Sequence, residues 1–142
     1  MSTIVVGVDG SHESVAALRY ALREAHLHGE AVKAVAAWHV PAAAYGVGLA
    51  PALPDPSAFR RAAEESLGAA IAAVRATGDE GEVESVVREG EAAEVLLAES
   101  EGADQLVVGC RDMNLLGRLL HHSVSGRCSR AAHCPVTVVH GG

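Results

Sequence analysis

Apolar and polar residues alternate in blocks along the chain, and the block lengths predict its elements. Ile4 to Val8 is a short β-branched run that stops at Asp9-Gly10-Ser11, the pattern of a parallel strand covered on both faces. Val15, Leu18, Leu22 and Ala25 then recur at helical spacing, with Ser11 placed as an N-cap and Gly29 as the stop, so a helix of about four turns follows. Ala31 to Val40 returns to strand character. From Pro41 to Pro56 the residues are Ala, Pro and Gly without periodicity, which reads as a long surface loop. Ser57 to about Thr77 carries Phe59, Ala63, Leu67, Ala70, Ile71 and Val74 on one stripe before Gly78, and predicts a second helix. A strand near Val83 to Arg88, a turn at Gly90, a short helix with Ala92, Val95 and Leu96, and a strand from Leu106 to Gly109 come next. After a loop to His122, a last helix is expected from about Ser123 to Ala132, and Pro135 separates it from a final strand, Val136 to Val139. Regular alternation of strand and helix implies a doubly wound α/β fold, a parallel sheet with right-handed crossovers and helices on both faces. No period of 20 to 50 residues repeats, so residues 1–142 are expected to form a single domain.

Composition narrows the function. With 49% apolar and only 3% aromatic residues, the core must be built from Ala, Val and Leu. A net charge of -7 opposes a general role in gripping nucleic acid or anionic lipid, which need a dense positive face. No apolar run approaches the ~20 residues that span a bilayer, and MSTIVVGVDG is strand-like with no charged region ahead of a signal core. The three cysteines, Cys110, Cys128 and Cys134, form no C-x-x-C pair, the usage of a reducing compartment. The expectation is a cytoplasmic protein. Its one lysine, Lys33, lies inside an apolar run, which excludes a G-x-x-x-x-G-K-[ST] phosphate loop.

In an open parallel sheet the ligand site lies at the carboxyl ends of the strands, where helix N-termini point into a crevice. Asp9 and Gly109 end two of the expected strands. Asp9 suits a ribose hydroxyl or a cation, and suits equally a turn that caps the first helix with Ser11. Arg111 to Arg130 holds four arginines (Arg111, Arg118, Arg127, Arg130) against one acid, Asp112, next to a helix that opens with Ser123 to Ser125. That is either an anion site or a set of solvent-facing arginines.

Other chemistries fit less well. His121, His122, Cys128, His133 and Cys134 suit zinc by type, but a helix between His122 and His133 would hold them roughly 15 Å apart, at ~1.5 Å per residue, so no metal site is expected. Neither Ser123 nor Ser125 sits in a G-x-S-x-G elbow. Cys110, beside Arg111, reads as a redox thiol or, more simply, a small hydrophobe. No acid–base pair stands out, so no catalytic residue is expected, and no aromatic pair stands ready to sandwich a flavin.

Several blocks together resemble the universal stress protein family: IVVGVDGS from Ile4 to Ser11, Trp38-His39-Val40, VVGCRD at 107–112, Gly117-Arg118-Leu119-Leu120, Ser123-Val124-Ser125 and HCPVTVV at 133–139. The resemblance covers essentially the whole chain and implies a five-stranded sheet of order 3-2-1-4-5, with frequent homodimerisation through the last strand, here Val136 to Val139. It also implies an adenine nucleotide, ATP with Mg or AMP. Carried over by position, Asp9 meets the ribose or adenine side, Val40 the adenine, Gly109 and Arg111 the phosphate loop, and Ser123, Val124 and Ser125 the phosphates. ATP-binding members carry G-x-x-G, nine residues, then G-[ST]. Here the spacing survives as Gly109 to Asp112, nine residues, then His122-Ser123, with Asp112 and His122 in place of two glycines. A carboxylate ~4 Å from a phosphate charge costs on the order of 4 kcal/mol at an effective dielectric of about 20, and His122 is bulkier than glycine. The resemblance therefore implies a stress or regulatory module with weakened or altered nucleotide binding, and not a dedicated enzyme. The alternative is a member that acts only through dimerisation and protein partners.

Overall fold

The computed structural model describes residues 2–40, 55–78, 81–110 and 124–140. The elements are β1 (Thr3–Gly7), α1 (His12–His28), β2 (Ala31–Trp38), α2 (Pro56–Ala76), β3 (Val83–Glu89), α3 (Ala92–Glu99), β4 (Gln105–Cys110), α4 (Val124–Ala131) and β5 (Val136–His140). All five strands are parallel, in the order β3-β2-β1-β4-β5. Val6 at the centre pairs with Ala34 on β2 and Val107 on β4, and Val5 with Lys33 and Leu106.

Strand side chains alternate between the two faces, so parity decides which helices each meets. Ile4, Val6, Val32, Ala34 and Val107 face α1 and α2, where they pack on Leu18, Leu22, Leu67 and Val74. Val5, Val35, Leu106 and Val108 face α3 and α4, meeting Ala93, Leu96 and Cys128. Burying each Leu or Val is worth ~1.5–3 kcal/mol, and the Ala17, Ala21 and Ala25 row lets α1 lie close over the sheet.

The ends of the elements follow local rules. The Ser11 hydroxyl accepts the Ser14 N–H at 3.1 Å to cap α1, and Gly29, at φ 65°, closes it in a left-handed conformation that other residues rarely adopt. α2 starts one residue before the expected Ser57, at Pro56, because Asp55 accepts the Ser57 N–H at 3.0 Å and a first-turn proline gives up no helical hydrogen bond. That hydrogen bond, made along the backbone by Ser57, holds the Asp55 carboxyl below its usual range. β2 ends at Trp38 and not at the expected Val40, since its partner β3 turns away at Gly90, whose N–H donates to the Trp38 carbonyl at 2.7 Å. β1 stops at Gly7, one residue short of Val8, whose N–H still reaches the Val35 carbonyl at 2.8 Å. β4 and β5 run one residue further than expected because Cys110 and His140 pair with each other. The rest of the expected 41–56 loop, residues 41–54, lies outside the described residues.

Candidate functional site

A cleft of about 90 Å³ opens at the carboxyl ends of β1, β2 and β4. Its floor is apolar: Val8, Val35, Ala37, Leu96 and Val108. Three helix N-termini converge on it, through Ser11 and Ser14 of α1, Ala92 of α3 and Val124 of α4. Each brings the positive end of its peptide dipoles. The only ionisable side chain among the described lining residues is Asp9.

Asp9 is held by the loop that leads into α1. Its Oδ1 accepts the Ser11 N–H at 2.9 Å, its own N–H donates to Ser14 Oγ at 3.3 Å, and Ser14 Oγ donates to the Ser11 carbonyl at 2.9 Å. The turn reading and the ligand reading of Asp9 are therefore compatible, since the hydrogen bonds that shape the turn also fix the carboxylate at the rim. Gly109 is required by packing. A Cβ there would lie 2.7 Å from the backbone carbonyl of Glu13, so only glycine lets β4 come this close to the first turn of α1. The open crevice beside β1 depends on that approach.

Of the residues expected from the sequence, Asp9, Gly109 and Val124 come together in the cleft. Val40 lies just past β2, partly exposed, beyond the described lining. Beside it, on the α2 side, a second and shallower hollow of about 280 Å³ shares Val8, Asp9 and Ala37 and adds Trp38, His39 and Phe59. Ser125 is the second residue of α4. Arg111, Asp112, His122 and Ser123 lie outside the described residues, as does Arg118. Sequence reasoning missed Ser14, Val35, Ala37, Ala92 and Leu96. Strand parity was the available signal for Val35 and Ala37; nothing local marked Ala92 or Leu96.

The basic stretch is partly neutralised within the protein. Arg127 pairs with Glu91, the N-cap residue of α3, while Arg130 sits exposed in the last turn of α4. The lone lysine is structural: Lys33 Nζ lies 3.0 Å from Glu99 Oε2, and Arg88 Nε lies 2.7 Å from Glu99 Oε1. Burial raises the Glu99 pKa, but the hydrogen bonds from Lys33 and Arg88 outweigh it and hold the carboxyl below its usual range. Burial pushes the Cys128 thiol up to about 11, against a smaller opposing effect of Arg127, and also raises Cys134. These two thiols are packed and protonated at neutral pH, and Cys110 is partly buried at the end of β4. His133 Nδ1 lies 3.0 Å from Glu101 Oε1, which gives that helix-end histidine a carboxylate partner. Among the described residues no three His, Cys, Asp or Glu side chains gather to hold a metal, and no helix is long and apolar enough to cross a membrane.

An apolar floor flanked by helix N-termini, with one carboxylate at the rim, suits a flat apolar ring carrying an anionic group. The sequence model of the universal stress protein family matches residues 1–140. The chain belongs to the universal stress protein family. A universal stress protein of Mycolicibacterium smegmatis is 36% identical over 145 residues, covering 97% of this chain and 48% of that protein. The chain thus spans about half the length of the curated relatives it matches. Two solved structures share its fold at 27% identity. One is a universal stress protein in complex with cAMP, with a TM-score of 0.63 over 99% of this chain and 98% of that one. The other is the universal stress protein from Archaeoglobus fulgidus in complex with dAMP, with a TM-score of 0.67 over 98% of both chains. The strand order 3-2-1-4-5 implied by the family resemblance is the order observed in this universal stress protein domain.

Proposed function

We propose that this universal stress protein domain is a regulatory module that binds an adenine nucleotide, with AMP-like ligands favoured over ATP. The observation that carries the reading is the cleft between β1, β2 and β4, where an apolar floor would take the base and three helix N-termini the phosphate. The cAMP and dAMP complexes of its structural relatives support the choice of ligand class. Asp9 would accept a ribose hydroxyl, and the segment from Gly109 to Ser123 would supply the phosphate loop. Asp112 and His122, standing where ATP-binding members have glycine, are the reason to expect weak or altered triphosphate binding. We read the domain as a binding module and not as a dedicated enzyme. Phosphoryl transfer needs a positioned water and metal, and the described cleft offers one carboxylate already engaged with the Ser11 amide.

Residues 1–142 are proposed to act as one cytoplasmic domain. Dimerisation through β5 belongs to the same proposal: β5 is an edge strand, and its valines are only half-buried. An open edge of this kind is a ready template for a second copy. It also favours a second reading, in which the domain works through dimerisation and protein contacts alone.

The test is to denature freshly purified protein, chromatograph what it releases, and titrate the emptied protein with ATP, AMP and cAMP by calorimetry, with and without magnesium. Micromolar AMP or cAMP binding, with ATP weaker, is the expected result. Tighter Mg-ATP binding after the double change Asp112→Gly and His122→Gly would tie the weakness to those two positions. No released nucleotide and no heat at millimolar concentration would leave the protein-contact reading in its place.

A further inference from the structure

The Glu91–Arg127 ion pair flanks the cleft: neither side chain belongs to its described lining, but each partner sits beside or on a helix that contributes a lining residue. Glu91 is the N-cap of α3, its side chain makes no capping hydrogen bond, and the next residue, Ala92, lines the cleft. Arg127 stands three residues beyond Val124, another lining residue, and positions three apart share a helix face. The pair therefore joins the first turns of the two helices whose N-termini would face a phosphate. Both partners keep contact with water, at 33% exposure for Arg127 and 47% for Glu91, so neither is locked by packing.

The two charges act on an incoming anion in opposite ways. The Glu91 carboxylate sits where the positive end of α3 would otherwise attract a phosphate, and repels it. Arg127 carries a charge that does not titrate and a forked set of donors that matches phosphate oxygens as well as a carboxylate. A phosphate dianion in the cleft offers Arg127 a stronger partner than Glu91 does.

We propose that Glu91 and Arg127 form a phosphate-operated latch, in which the phosphate of a bound nucleoside monophosphate draws Arg127 away from Glu91. Arg127 is thereby a specificity-determining residue that separates phosphorylated from unphosphorylated nucleosides, and Glu91 sets how large that separation is. The latch rests on the nucleotide reading of the cleft. It predicts a discrimination that a structural tie between α3 and α4 would not produce, because a tie affects adenosine and AMP alike.

The experiment is calorimetric titration of adenosine and AMP into the wild-type protein and into Glu91→Gln, Arg127→Gln and Arg127→Lys. The quantity read is the ratio of AMP to adenosine affinity within each protein. Glu91→Gln is expected to raise that ratio about fivefold and Arg127→Gln to lower it about fivefold, the scale of a partly exposed charge pair. Arg127→Lys should recover part of the loss, since it keeps the charge and lacks the fork. Binding of both ligands with the same ratio in all four proteins would overturn the latch and leave the nucleotide site standing. Binding of neither ligand by the wild-type protein would overturn both.

Discussion

The two faces of the sheet are covered by helices of different length, and their roles divide accordingly. On one face α1 and α2 run 17 and 21 residues, about 25 and 32 Å at ~1.5 Å per residue, as long as the longest strand beneath them or longer. They cover the middle of that face, where Ile4, Val6, Leu18 and Val74 are wholly buried. On the other face α3 and α4 have eight residues each, about 12 Å, which is shorter than strands of five to eight residues at ~3.3 Å per residue. Among the described residues, the cleft lies where the carboxyl ends of β1, β2 and β4 extend past these short helices. The long helices thus cover one core cluster, while the proposed binding cleft opens beside the short ones.

The sharpest way to break this contrast is to remove one leucine from each face. Leu18→Ala should cost about 2–5 kcal/mol of stability in urea melts while leaving nucleotide affinity alone. Leu96→Ala should cost a similar amount and also change AMP affinity, because Leu96 is both core and cleft floor. Equal effects of the two on binding would erase the distinction between the faces. Gly109→Ala tests the seam between them. Its new Cβ meets backbone of α1, which cannot swing aside as a side chain can, so a loss of about 1–3 kcal/mol is expected, with weaker AMP binding as α1 is pushed off β4.

A smaller effect tests what anchors α3. Glu99→Gln should lose about 1 kcal/mol at neutral pH by weakening the ties to Lys33 and Arg88. The Glu99 pKa is lowered in the folded protein, so its stabilisation is present above the ordinary glutamate range and fades as pH falls through the lowered value. The gap in stability between wild type and variant should therefore close on acidification, and a gap unchanged down to pH 3 would contradict the assignment. The smallest effect is on chemistry alone. Cys128, fully buried and with its pKa near 11, should resist iodoacetamide at pH 8 in the folded protein and react only as the protein unfolds, as mass spectrometry would show.

Much of the architecture was legible along the chain. Ser11 and Gly29 bracket α1 as their side-chain chemistry and backbone freedom require, and Asp9 and Gly109 stand at strand ends on the cleft. The misplaced ends of β2, β4 and β5 depended on partners far away, namely Gly90 for Trp38 and His140 for Cys110. The same holds for the site. Leu96 and Ala92 form its floor and wall from a helix that follows β1 by more than 80 residues. Arg127 read as one of four loose cations until folding set Glu91 beside it.

What the sequence determined by itself was the periodic part: which segments are strands or helices, which stripe of α1 and α2 is apolar, and that Ser11 and Gly29 cap α1. Those follow from the repeats of about 2 and 3.6 residues that backbone geometry imposes on any stretch of chain. Only the tertiary structure decided which apolar sides meet, that three helix N-termini gather at the strand ends, and that an acidic N-cap and an arginine 36 positions away face each other. Such pairings depend on distances closed through space, and no local repeat along the chain records them.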